Sequence, residues 1–198
     1  MRFYVSPEFI FPEKKIIELR DRKEIHHIRD VMRLKKGANV IVFDGKGKEY
    51  LGDIKDINRN YAIMNITEII DHRKNTPLNI TLYQAIPKKG KMDFIVEKAS
   101  GLGVDRIVQL ITERGIVKFA NRDIKKIERW ERIANAASKQ CGRVDLPTVS
   151  IPADFKNALA ESKKSDLVLF AALDKDVRPL KTILREAKPN SVSVFIGP

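Results

Sequence analysis

Apolar and polar positions follow one pattern up to about residue 71 and another from about residue 78. In the first stretch the apolar residues come in short β-type runs. NVIVFDGKGKEYLGDI (39–54) reads as a hairpin: an apolar run at Val40 to Phe43, a turn at Asp44 to Gly47, then Tyr50 and Leu51. Tyr61 to Ile70 reads as a further strand, and Ile25, Ile28 and Met32 fall at helical spacing over Glu24 to Met32. Residues 1–71 are therefore expected to form a small barrel-like domain with one or two helices. The polar stretch Asp71 to Pro77 has no apolar periodicity and ends in Pro, so residues 72–77 read as a linker.

From residue 78 the period alternates. ITLYQAI from Ile80, RIVQLI from Arg106, DLVLFAAL from Asp166 and SVSVFI from Ser191 are nearly unbroken apolar runs. Between them lie helical patterns: Met92, Ile95, Val96, Ala99 and Leu102, then Ile124, Ile127, Ala134 and Ala137 with Trp130 beside that face, then Asp154 to Lys163, then Leu180 to Ala187. Apolar strands alternating with helices predict a mainly parallel α/β sheet covered on both faces over residues 78–198. The last run stops two residues short of Pro198. In an open α/β sheet a binding loop is expected where a strand ends at its carboxyl edge. The sequence therefore reads as a C-terminal truncation of a longer protein.

Charge narrows the choice of partner. The 198 residues carry 38 Lys and Arg against 26 Asp and Glu, a net charge of +12. A polyanion, RNA above all, is the first partner to expect. Half of the excess lies in Arg114 to Arg143, with nine basic and three acidic side chains. One cysteine, Cys141, excludes a disulfide framework or a cysteine-cluster metal site. The N-terminus has no secretory pattern, and the longest apolar run, Leu167 to Leu173, is too short to span a bilayer, so a cytoplasmic protein with no membrane contact is expected.

Each candidate residue has a functional and a bland reading. Lys88 to Lys91 follows a strand and opens a helix, a place where outward N–H groups attract phosphate; a solvated basic turn is the alternative. Arg29 and Arg33 flank the apolar side of the first helix, as phosphate contacts or as part of a solvated face. Arg122, Lys125, Lys126, Arg129 and Arg132 lie mostly off the apolar stripe of their helix, which favours a nucleic-acid face over mere solvation. Gln140 and Arg143 sit at a helix exit closed by Gly142, available to bind or simply capping it. His26 and His27 are neighbours on a helix and point apart, so no metal is expected there.

A set of segments in order gives a more specific reading. HIRDVMRLKKG (27–37), FDG (43–45), IPKKGKMDFIVEKASGLGV (86–104), ER (113–114), RW (129–130), KQCGRVDLP (139–147), LVLF (167–170) and the terminal IGP resemble the bacterial ribosomal RNA small-subunit methyltransferase E family. The resemblance implies an N-terminal PUA-like RNA-binding β-barrel and a C-terminal SPOUT α/β domain with a trefoil knot, incomplete in this truncated chain. It implies a homodimer that uses S-adenosylmethionine to methylate N3 of a uridine in 16S rRNA of the small ribosomal subunit, without a metal. The cofactor-binding positions it implies are Ala171, Ala172, Ile196, Gly197 and Pro198. RNA contacts are expected at Arg29, Arg33, Lys88, Lys91, Arg114, Arg129 and Arg143. Methylation at N3 requires loss of its proton, so a cation that stabilises the imidate is needed; Arg143 is the candidate, with Gln140 as orienter. Two alternatives stand beside this reading: a SPOUT methyltransferase acting on tRNA, and a catalytically silent RNA-binding protein. The family's GPEGG-type loop and LRxETA-like segment would follow Pro198, so this 198-residue form is expected to bind the cofactor poorly.

Overall fold

The computed structural model describes residues 2–72, 78–88, 90–112, 124–172 and 177–197. The chain divides into two units, residues 1–75 and 76–198.

The first unit is built on β1 (Arg2–Tyr4), β2 (Ile10–Phe11), β3 (Ile16–Leu19), β4 (Asn39–Phe43), β5 (Lys48–Ile57) and β6 (Ala62–Asp71), with the short helix α1 (Arg22–His26) between β3 and β4. The sheet order is β1-β4-β5-β6-β3-β2. The predicted hairpin is β4 against β5, antiparallel, and the predicted strand after it is β6. Three strands in the first twenty residues carried too few apolar residues each to be read from the pattern alone. Alternating positions of these strands close on one core, which includes Phe3, Ile17, Val42, Ile54 and Met64. Burying each such side chain contributes about 1.5–3 kcal/mol. Gly52 is required where β5 crosses β6: a Cβ there would lie 1.8 Å from the carbonyl oxygen of Asn65.

α1 starts at Asp21, whose carboxylate accepts from the N–H groups of Lys23 and Glu24 at 2.7 and 3.1 Å. It runs into a π-helical turn over His27–Val31, where the N–H of Met32 reaches back to the carbonyl of His27 at 2.9 Å. Ile25 and Ile28 are buried under it, and Arg33 just beyond has a left-handed backbone with φ of 51°.

The second unit contains β7 (Asn79–Ala85), α2 (Lys91–Gly101), β8 (Arg106–Ile111), α3 (Ile124–Gln140), β9 (Thr148–Val149), β10 (Ala153–Asp154), α4 (Phe155–Ser162), β11 (Leu167–Phe170), α5 (Leu180–Ala187) and β12 (Ser191–Ile196). Every described pairing in this sheet is parallel, in the order β10-β8-β7-β12-β11, with β9 also on β8. One face carries α2 and α3 on Leu82, Ile107 and Val149. The other carries Ala158 of α4 on Tyr83, Val108, Leu110 and Phe195. Ile124, expected on the apolar face of α3, is instead 57% exposed; the buried stripe is Ile127, Trp130, Ala134 and Ala137. Ile124 is the first residue of α3, while Trp130, expected beside the apolar face, lies in it, its ring buried and its N–H reaching Asp93 of α2, 3.1 Å away.

Candidate functional site

The strand order reverses direction at β7. From β7 the chain first builds outward through β8 to β10, then returns to the other side through β11 and inserts β12 beside β7. Such a reversal opens a crevice at the carboxyl ends of the two strands, the place where open α/β sheets hold ligands. Ile196 and Gly197 stand at the end of β12, and Ala171 and Ala172 follow the neighbouring β11. The N–H of Ala171 donates to the carbonyl of Phe195 at 3.0 Å, and Phe170 pairs with Phe195 in register. Four of the five positions named for a cofactor are thus gathered at one edge, all exposed. Pro198 lies outside the described residues. A Cβ on Gly197 would meet nothing within 4 Å, so the turn borders open space.

Beneath this edge on one face, Tyr83, Phe195 and Phe170 stack across three adjacent strands, with ring centroids 4.5 and 4.6 Å apart. Phe155 packs edge-on to Phe195 at 5.9 Å. Burial pushes the Tyr83 phenol above its ordinary pKa, so the stack is neutral at physiological pH. On the other face of the same edge lie two residues absent from the expected set, Gln84 and Gln109. They are cross-strand partners, 3% and 0% exposed. The visible signal was a polar residue at matching places in two otherwise apolar strands, ITLYQAI and RIVQLI.

Arg143 lies at the opposite end of the sheet. Its guanidinium donates to the carbonyls of Ser100 and Val104 at 2.9 and 2.8 Å and to the Asp105 carboxylate at 3.3 Å. The other oxygen of Asp105 accepts from the N–H of Ile80, the start of β7. Gln84 is four positions beyond Ile80, which places the Arg143 cluster about 13 Å from the carboxyl edge along the strand. Within one chain the structure therefore does not bring Arg143 to Gly197, and its side chain closes the end of α2. Gln140, the last residue of α3, is exposed.

The basic candidates sort by whether a carboxylate holds them. Lys88 and Lys91 are exposed around the start of α2, where Gly90 adopts a left-handed backbone at φ of 70°. Among the described residues neither Lys88, Lys91 nor Arg33 has a carboxylate partner. Arg29 is different: it makes two bonds to Asp30 at 2.7 and 2.6 Å. The Arg29 hydrogen bond, with a further one from His26, holds the Asp30 carboxyl at about 2. Arg129 pairs with Asp93. Arg114 lies outside the described residues. Among the described residues no three His, Cys, Asp or Glu side chains are grouped as a metal site, and no helix is long and apolar enough to cross a membrane.

Comparison with known proteins adds to this geometry. Residues 74–198 match the RNA methyltransferase domain family, and residues 19–67 match the RNA methyltransferase PUA domain family. The ribosomal RNA small subunit methyltransferase E of Aquifex aeolicus is 32% identical over 176 residues, covering 88% of this chain and 73% of that protein. The protein of the same name from Synechocystis is 30% identical over 154 residues, covering 78% of this chain but 48% of its own length. The Bacillus subtilis protein of that name is 26% identical, with 75% of this chain and 59% of its own length covered. This chain thus spans roughly half to three fifths of those last two relatives. A ribosomal RNA small subunit methyltransferase E from Neisseria gonorrhoeae, solved with S-adenosylmethionine bound, superimposes with a TM-score of 0.83 at 28% identity, covering 100% of this chain and 78% of the other. With both domains matched in order, the chain belongs to the RNA methyltransferase family represented by the ribosomal RNA small subunit methyltransferases E.

Proposed function

We propose that this protein methylates N3 of a uridine in 16S rRNA of the small ribosomal subunit, using S-adenosylmethionine. The observation that carries the reading is the convergence of Ala171, Ala172, Ile196 and Gly197 at the strand-order reversal, in a chain whose relative from Neisseria gonorrhoeae was solved with that cofactor. Exposed main chain and open space at Gly197 fit an elongated ligand with a cationic sulfonium centre and a purine ring. When bound, the cofactor supplies an electrophilic methyl group.

The rest of the task falls to the protein. Uridine N3 is not nucleophilic until its proton leaves, so the site must favour the imidate while aligning N3. Lys88 and Lys91, at the start of α2 beside the end of β7, are proposed to hold RNA phosphates there. Arg33 is proposed as the phosphate contact of the first unit, and Arg29 and Arg129 as contacts that must exchange a carboxylate for a phosphate. Arg143 and Gln140 would serve the imidate only at another copy's turn, which ties their catalytic reading to a homodimer. Finer features go with the proposal: a closed barrel for residues 1–71, a trefoil knot of which residues 78–198 hold only part, and a cytoplasmic enzyme.

The test is transfer of labelled methyl from S-adenosylmethionine to small subunits lacking the modification, using the product of the complete gene. Label in 16S rRNA as N3-methyluridine is the expected result. Label in tRNA, at another atom, or no label with RNA still bound would overturn it.

A further inference from the structure

Gln84 is a polar side chain on a buried parallel strand, and its bonds leave little freedom in what it can be. Its amide nitrogen lies 2.9 Å from the carbonyl of Ala85 and 3.3 Å from the carbonyl of Gly197. Both partners are acceptors, so the atom facing them must be the NH2 and not the oxygen, and its two hydrogens are each used once. The side chain thus joins the end of β7 to the first residue after β12, across the point where the strand order reverses. Gln109, its register partner on β8, is just as buried, yet neither of its amide atoms has a partner among the described residues. Burial of a polar group in this layer does not by itself produce the bond to Gly197.

We propose that Gln84 is a positioning residue: by holding the Gly197 carbonyl it sets the direction in which the chain leaves β12 and so the shape of the cofactor turn. The inference rests on the proposed cofactor site and adds to it a residue that touches no ligand. Leu removes both donors; Glu keeps the shape, but its carboxyl donates once when protonated and repels both carbonyls when ionised.

Three measurements on Gln84→Leu, Gln84→Glu and Gln109→Leu test this. Hydrogen exchange of the peptide spanning 191–197 reads the turn without any ligand. Calorimetry in the complete gene product reads S-adenosylmethionine affinity, and thermal melting reads stability. Gln84→Leu is expected to speed exchange at the end of β12 and to weaken cofactor binding about fivefold, the effect of one neutral hydrogen bond. Gln84→Glu should regain affinity as pH falls, following its own protonation, while the wild type stays flat over the same range. Gln109→Leu should bind as the wild type does and melt no lower. Exchange and affinity unchanged in Gln84→Leu would overturn the proposal. So would equal losses in both Leu variants, or a Gln84→Glu affinity that does not respond to pH, since each marks a merely structural amide. Failure of the wild-type protein to bind the cofactor would instead refute the site reading, and the exchange result would still decide whether Gln84 sets the turn.

Discussion

The two ends of the parallel sheet in residues 76–198 are built on opposite principles. At the amino end charged and main-chain groups are tied together: Arg143 spans the carbonyls of Ser100 and Val104 and the carboxylate of Asp105, and Asp105 in turn holds the start of β7. At the carboxyl end, small residues and main chain stand exposed, and Phe170 is 51% accessible. A cross-linked charged network rigidifies; exposed main chain and open surface are accessible to a ligand. With the proposed cofactor site at the carboxyl edge, the contrast gives stability to one edge and recognition to the other, the division expected of sheets that bind at the carboxyl ends of their strands.

The largest test of that division is Arg143→Ala. The side chain is 14% exposed, and removing it takes the cation from Asp105 and a donor from two carbonyls. A loss of about 3 kcal/mol of folding stability is expected, the scale for breaking a largely buried charged pair, read by urea unfolding. Gly197→Ala at the other edge meets open space and should cost no more than about 0.5 kcal/mol. If Arg143→Ala instead folds normally and slows single-turnover methyl transfer at saturating RNA by about 2.7–4 kcal/mol of barrier, the residue stabilises the imidate and the division fails.

Next in size is Trp130→Phe. Phenylalanine keeps an aromatic ring in the stripe but is smaller than indole and leaves a cavity, and the donor to Asp93 is lost. About 2 kcal/mol of destabilisation is expected in the same assay, the bond and the cavity together. A loss several times larger would mean that Asp93 organises the helix pair through charge and not through that one bond.

These two residues show what could be read in advance. The hairpin and the helix over Leu180 to Ala187 follow from the spacing of their apolar residues, and the parallel sheet from the alternation of short unbroken apolar runs with helical patterns. The exposed positions proposed for the cofactor were accessible only through the resemblance, since Ala and Gly carry no chemical signal of their own. The destination of Arg143 was not legible. A cation at a helix exit is compatible with binding and with capping, and only the return of the chain through Val104 and Asp105 decides which carbonyls it meets. The pairing of Arg129 with Asp93, thirty-six residues earlier, is hidden for the same reason.

A smaller effect separates the cations by their partners. Lys88→Ala should lower the slope of log affinity for 16S rRNA against log salt by about 0.7–0.9, the release of one phosphate's counterion. Arg129→Ala should change it by less than half as much, since the guanidinium already has a carboxylate. Equal slopes for the two variants would show that the Asp93 pair opens on RNA binding and would bring the outer face of α3 into the interface.

The smallest expected effect concerns Asp30, which uses Arg29 internally as Asp105 uses Arg143, but at the surface. Its carboxyl is lowered from 3.8 to about 2, chiefly by the Arg29 hydrogen bond. A depressed carboxyl stabilises the fold above its unfolded pKa, and that contribution is lost as pH falls through the folded value. The stability difference between wild type and Asp30→Asn should therefore be constant above about pH 5 and shrink between about pH 4 and pH 2. The group is solvent-exposed, so 1 M salt should reduce the difference at every pH, whereas the Arg143 effect should persist. Melting curves of both proteins across that range, at low and high salt, make the check. A difference that does not shrink in acid would show that Asp30 acts through local backbone geometry at the π-turn and leaves Arg29 as available to phosphate as Arg33.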